Sequence, residues 1–267
     1  MTIELPVIGC LVIFGMFILI ALHVPIGIAM SVAGFIGTGF IVGFEPAFSL
    51  FGIEPSSAIA SQELAIIALF LLMGNFAAAA GLSGDLYHLA HAFLGHRKGG
   101  LAMSTIATCA GFGAVCGSSL ATTATMTRIA LPEMQKRSYS MQLSTGSIAA
   151  GSTLGVIVPP SVLLVLYAVL TEQFVTALFV AALGPAVLAV IFYLLSVWFY
   201  VKVFPESGPA AERIPWPVRK EVLKKSWGVI FLATVVSGGI YSGFFTVNEA
   251  AAVGAAVAIA FTALRGK

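Results

Sequence analysis

The chain has 267 residues, a formal net charge of +2, and 59% apolar against only 9% charged residues, with a mean hydropathy of +1.04. A water-soluble domain carries about a quarter charged residues, so the composition excludes one and points to a bilayer, while the near-neutral balance gives no reason to expect a nucleic-acid partner. Uncharged stretches at Leu5–Phe44, Leu64–Gly84, Gly99–Thr127, Ser138–Thr171, Phe174–Val201 and Ser226–Asn248 each exceed the roughly 18 residues that mark a candidate membrane helix.

Charge placement orients these stretches. All thirteen Lys and Arg fall at Arg97/Lys98, Arg128, Lys136/Arg137, within 202–225, and at Arg265/Lys267, whereas the remaining loops carry only Glu4, Glu45, Glu54, Glu63, Glu172 and Glu249. Basic loops stay on the cytoplasmic side, which puts the N-terminus outside. With Glu4 the only charge before residue 45, there is no basic leader region, and the first helix (about 5–22) is expected to remain in the membrane. A turn at His23-Val24-Pro25 leads to a second helix (about 26–44), an outer acidic loop at 45–61 with two prolines, and a third helix (about 62–81). Residues 1–83 are thus expected to form three membrane-spanning helices. In 84–98, Leu86, Leu89, Ala90, Phe93 and Leu94 alternate at helical spacing with His88, His91 and His96, the pattern of an amphipathic helix in the inner interface.

The stretch 99–127 has basic residues at both ends, so both ends belong inside. Two limbs of about 15 residues rise only about 22 Å each, short of a hydrocarbon core of about 30 Å. A re-entrant hairpin over 99–131, bent within Gly111–Ser119, satisfies both constraints. The stretch 138–171 runs from a basic to an acidic end and contains GSTLGVIVPPS (151–161). Two prolines remove two backbone donors, so it reads as one crossing made of two half-helices with an unwound middle at 151–160. Together 99–172 form the expected core. A membrane helix at 173–201, a cytoplasmic linker at 202–225 with SGP and IPWP breakers, and two helices at 226–245 and 249–264 complete the chain, with Thr246 or Asn248 placed to cap the last.

Non-helical backbone at membrane depth is tolerated only where protein buries it or water reaches it. Two such breaks, both rich in Gly, Ser and Thr, lie about 40 residues apart. Unwound carbonyls and hydroxyls suit a hard cation such as Na⁺, and free amides at half-helix N-termini suit a carboxylate. Small residues also serve helix packing, as in Gly39-xxx-Gly43 and Gly113-xxx-Gly117, but paired breaks and a double proline favour transport. Cys10, Cys109 and Cys116 form no paired framework and read as small apolar residues. An HExxH or Gly-x-Ser-x-Gly motif, a carboxylate pair in the helices and a Gly-Lys-Ser/Thr phosphate loop are all missing, so an enzyme is not expected.

Several segments resemble a known family. LAIIALFLLMGNFAAAAG (64–81), Gly99-Gly100-Leu101, GSSLATTATMTRIALPEM (117–134), GSTLGVIVPPS (151–161) and SGGIYSGFFTVNEAAAVGA (237–255) are similar, in order, to the large membrane subunit (DctM) of TRAP, tripartite ATP-independent periplasmic, transporters. The resemblance implies an all-α polytopic membrane protein with an inverted-repeat, elevator-type ion transporter fold. It also implies Na⁺ as coupling ion with no organic cofactor, a carboxylate solute, a periplasmic substrate-binding protein, a small four-helix membrane subunit, and a location in the bacterial inner membrane. Carried over, the ion and solute site comprises Gly117, Ser118, Ser119, Thr122, Gly151, Ser152, Thr153, Pro159 and Pro160, with Ser119, Thr122 and Thr153 as Na⁺ ligands. The family's large subunit has two repeats and is longer. This chain is therefore expected to hold the N-terminal half, with a second chain supplying the other, or to be a non-transporting scaffold or truncated remnant.

Overall fold

The structure, a computed structural model, describes residues 5–60 and 62–266, with side chains at 5–57 and 64–266. Glu4 and the Glu63 side chain, two of the acids used above, lie outside the described residues. Among these residues all regular structure is helical, and the chain divides into one unit up to residue 60 and another from residue 62.

In the first unit, α1 (Leu5–Ala21) buries none of its side chains and packs on α2 (Ile26–Val42), where Gly37 lets Val12 approach: a methyl at Gly37 would lie 3.0 Å from Val12 Cγ2. The connecting turn falls at His23 to Pro25, as expected. The acidic segment, by contrast, is not a loop. Phe44–Ala60 forms a third helix, α3. Pro46 sits in its first turn, where backbone N–H groups lack helical partners anyway, and Phe48 and Phe51 hold it against Phe35 at ring separations of 4.8 and 5.4 Å. The unit therefore carries three helices where two and a loop were expected.

The second unit opens with α4 (Gln62–Ala79) and α5 (Leu82–Leu94), which bend by 66° at Gly81. That glycine has φ +81°, a conformation with little steric cost only for glycine. Next come α6 (Gly100–Cys116) and α7 (Ser119–Lys136), separated by Gly117 and Ser118 alone. Their distant ends come together: the Leu101 amide donates to the Tyr139 hydroxyl at 3.2 Å, and Leu101, Met126, Ala130 and Met134 share one core. The pair is thus a helical hairpin, with a second limb that runs five residues beyond the expected 131. Then α8 (Met141–Ile157) and α9 (Val162–Leu170) meet at 45°. The break spans only 158–161, because 151–153 remain helical, and Gly111 and Gly113 likewise lie within α6.

Following α10 (Val175–Val203), the expected linker is half structured. Residues 207–211 pin the hairpin base through Ser140 N to Ser207 O (3.0 Å), Gly99 N to Gly208 O (2.9 Å) and Ala211 N to Gly95 O (3.1 Å). Trp216–Lys225 forms α11. Here IPWP starts a helix instead of breaking one, since Pro217 falls in the first turn, where a missing donor costs little. The chain ends with α12 (Trp227–Ala233), a π turn at Thr234–Gly238, the short α13 (Gly239–Tyr241) and α14 (Val247–Leu264). Thr246 caps α14 in a reciprocal capping box with Glu249. Among the described residues α10 and α14 are each long and apolar enough to cross a membrane alone.

The first hairpin limb is the centre of this unit. Most of α6 is buried, including Ser104, Thr105 and Thr108, whose hydroxyls donate to the carbonyls of Gly100, Leu101 and Ser104 at 2.7–2.9 Å. Their polarity is satisfied inside the helix, so they need no further partner.

Candidate functional site

The two breaks meet. Gly117 turns the hairpin at φ +61° and its own N–H reaches back to Gly113 O at 2.8 Å. Across the contact, Val162 N donates to Gly117 O at 3.2 Å. A methyl at Gly117 would lie 3.0 Å from the Pro160 carbonyl oxygen and 3.2 Å from Ser161 Cα, so backbone packs on backbone here. One turn away the approach repeats: a methyl at Gly113 would lie 2.7 Å from Gly155 Cα, and one at Gly155 would lie 2.9 Å from Thr122 Oγ1 and 3.1 Å from Ser118 O.

Both helices that leave the contact start with a serine cap. Ser118 accepts from Ala121 N and Ser161 from Leu164 N, each at 3.4 Å. Two helix N-termini therefore adjoin, with the first-turn amides of Ser119, Leu120 and Leu163 left without a partner among the described residues. The break also frees acceptors, because Pro159 and Pro160 have no N–H to give to the carbonyls of Gly155 and Val156 four residues earlier. Thr122 is fully buried and donates its hydroxyl to Ser118 O at 2.7 Å, with Cys116 Sγ at 3.6 Å. That fixes the proton and leaves oxygen lone-pair density facing the contact. Ser119 opens α7, partly buried, and its hydroxyl makes no hydrogen bond with any described residue.

The expected residues separate accordingly. Gly117, Ser118, Thr122 and Pro160 come together, with Ser119 beside them and Pro159 buried in the adjoining break. Gly151 lies one turn further down, its missing side chain leaving room for Cys109 Sγ, and buried Ser152 donates to Ile148 O at 2.6 Å. Thr153 points elsewhere: it is exposed, and its hydroxyl lies 3.0 Å from the Tyr193 hydroxyl of α10. Successive helical positions diverge by 100°, so Ser152 and Thr153 do not share a face. Two contact residues escaped the sequence reading. Gly155 follows Gly151 at the small-xxx-small spacing that signals close helix approach, and Ser161 directly after the prolines is a cap signature before an apolar run.

Residues 13–267 match the model of the family described as "Tripartite ATP-independent periplasmic transporter, DctM component". The chain is 38% identical over 202 residues to a C4-dicarboxylate TRAP transporter large permease protein of Pseudomonas aeruginosa, covering 75% of the chain and 46% of that protein. It is 32% identical over 270 residues to a C4-dicarboxylate large permease of Rhodobacter capsulatus, covering 94% and 59%. An ectoine/5-hydroxyectoine large permease of Ruegeria pomeroyi is 30% identical over 243 residues, covering 89% and 55%. The chain spans about half the length of these curated relatives.

Proposed function

The chain belongs to the DctM component family of tripartite ATP-independent periplasmic transporters, and on that premise we propose that residues 62–266 form one half of the binding core of a Na⁺-coupled importer for a carboxylate solute. The observation that carries this reading is the meeting of the Gly117–Ser118 turn with the break at 158–161. Transporters with discontinuous helices hold Na⁺ by unwound carbonyls and half-helix C-termini, and hold anionic solute groups by half-helix N-termini. Here the freed carbonyls of Gly155 and Val156, the Thr122 oxygen and the unpartnered Ser119 hydroxyl supply the first set. The still-free amides of Ser119, Leu120 and Leu163, behind Ser118 and Ser161, supply the second. Two of the relatives above are named for C4-dicarboxylates, a solute class that this donor set fits.

In this reading the chain crosses the bacterial inner membrane with its N-terminus in the periplasm, and the α6–α7 hairpin is re-entrant from the cytoplasmic side. An inverted second half, in the same polypeptide or another, completes the site, and the block of α6–α9 moves in an elevator-like manner. A periplasmic binding protein delivers the solute, and a small four-helix membrane subunit extends the scaffold. The deciding experiment uses proteoliposomes with the complete transporter and its binding protein. Ser119→Ala and Thr122→Ala are each expected to raise the Na⁺ concentration for half-maximal uptake about five- to tenfold, the loss of one ligand being on the order of 1 kcal/mol. Wild-type Na⁺ dependence in both variants would remove these residues from the ion site.

A further inference from the structure

Ala121, Ala124, Thr125 and Arg128 repeat at i, i+3, i+4 and i+7 and so share one face of α7. That face lines a cavity of about 660 Å³, whose other wall is the bend between α4 and α5. From Ala121 to Arg128 the wall runs about 10 Å along the helix. One end abuts the hairpin tip, since Gly74 lines the cavity and a methyl there would lie 2.9 Å from Cys116 Cα. The other end holds Arg128, Asp85 and His88.

The charges at that end do not cancel. Asp85 is engaged by Arg265, whose Nη2 lies 2.7 Å from Asp85 Oδ2 and whose Nη1 donates to Ala80 O. Glu133, one turn beyond Arg128, is paired with Lys136 at 3.2 Å. Arg128 makes no hydrogen bond or ion pair with any described residue, so the unbalanced full charge in the cavity is positive. Thr125 and Asn75 also line it, and neither side chain has a hydrogen-bond partner among the described residues. A planar guanidinium one turn from a free hydroxyl is a donor set for an oxyanion, which takes two parallel N–H bonds from Arg, and the Asn75 amide lies toward the other end of the same cavity. Gly74, Ala78 and Gly81 opposite leave the space.

We propose that this cavity is an oxyanion-binding site in which Arg128 holds a carboxylate or phosphate group. It is separate from the meeting point of the two breaks and does not depend on Na⁺ coupling. The oxyanion has two sources, a soluble carboxylate or a lipid phosphate, which one experiment distinguishes. In the full chain, Cys10→Ser removes the exposed native thiol, leaving Cys109 and Cys116 buried. Thr125→Cys then reports the local potential as the ratio of its labelling rates by anionic sulfonatoethyl and cationic trimethylammonioethyl methanethiosulfonates. In phosphatidylcholine nanodiscs this ratio is expected to exceed that at Thr145→Cys, an exposed position on α8, by roughly tenfold. Arg128→Gln should abolish the excess, and Arg128→Lys should keep most of it, which separates lost charge from lost folding. Slowing by millimolar succinate in phosphatidylcholine identifies a soluble carboxylate; slowing by phosphatidylglycerol in the disc, without succinate, identifies a lipid. A ratio that ignores Arg128→Gln, or labelling that neither succinate nor phosphatidylglycerol slows, overturns the proposal.

Discussion

The two breaks that meet at the candidate site achieve non-helical backbone by opposite means. At Gly117 the chain reverses through one residue in the left-handed region, and its polar groups stay engaged: Gly117 N reaches Gly113 O, Thr122 N reaches Ser118 O, and Gly117 O accepts from Val162 N. At 158–161 the chain continues with a 45° bend, and two prolines strand the carbonyls before them. The hairpin turn is a steric device that depends on a missing side chain. The second break is a chemical device that depends on missing donors. The first therefore sets how closely the two halves approach, and the second supplies ligand atoms to the gap so defined.

Gly117→Ala tests the steric device most severely. A non-glycine residue at φ +61° costs about 1–2 kcal/mol, and its methyl would also crowd Pro160 O and Val162 N at 3.0 and 3.1 Å. A total of about 2–5 kcal/mol follows, read as a lower Tm of the purified protein and loss of Na⁺-dependent uptake. A wild-type Tm would mean that the tip does not pack against the second break.

Gly155→Ala pushes on the same contact from the opposite side. Its methyl meets Thr122 Oγ1 at 2.9 Å and Ser118 O at 3.1 Å, an overpacking cost of about 1–3 kcal/mol. Thr122→Ala removes one of those two atoms, so the double variant should be less destabilised than the sum of the singles. Strict additivity in thermal unfolding would refute the contact between Gly155 and Thr122.

Ser161→Ala addresses the second break alone. It removes the cap of α9, a hydroxyl that accepts from Leu164 N and is fully buried. The expected loss is about 1 kcal/mol, smaller than either glycine change because the backbone path is unaltered. A loss as large as that of Gly117→Ala would reverse the ranking of the two breaks.

The outline of this contact was legible because its causes are local. Charge placement paired the ends of 99–127, and a double proline has one reading at mid-segment. What misled was proline counted without regard to position. Pro46 and Pro217 stand in first turns, where the lost donor is redundant, and Pro55 lies inside α3 without ending it, so a loop over 45–61 and a linker over 202–225 turned out to contain α3 and α11. Gly151, Ser152 and Thr153 looked unwound by composition, yet packing against α6 keeps them helical, with Gly151 close to Cys109. The direction of each hydroxyl was not legible at all. Thr153 finds Tyr193 forty residues away, and no local pattern encodes that pairing.

That pairing makes Thr153 the test with the smallest expected effect on Na⁺ dependence and the most discriminating one. Its hydroxyl donates to Ala150 O at 2.7 Å and lies on the exposed side of α8, beside Tyr193, whereas Thr122 is buried between the breaks. Thr153→Ala removes two exposed hydrogen bonds, together worth about 1–2 kcal/mol of stability, and no atom of the contact. The Na⁺ concentration for half-maximal uptake should then change less than twofold, against the five- to tenfold rise expected for Thr122→Ala. Equal shifts in the two variants would place Thr153 in the ion site after all. That would require α8 to turn its Thr153 face toward the hairpin during transport, a rotation that breaks the Tyr193 contact. Tyr193→Phe, which deletes only the partner hydroxyl, would then favour the rotated arrangement and alter Na⁺ dependence as well; under the arrangement described here it leaves that dependence unchanged.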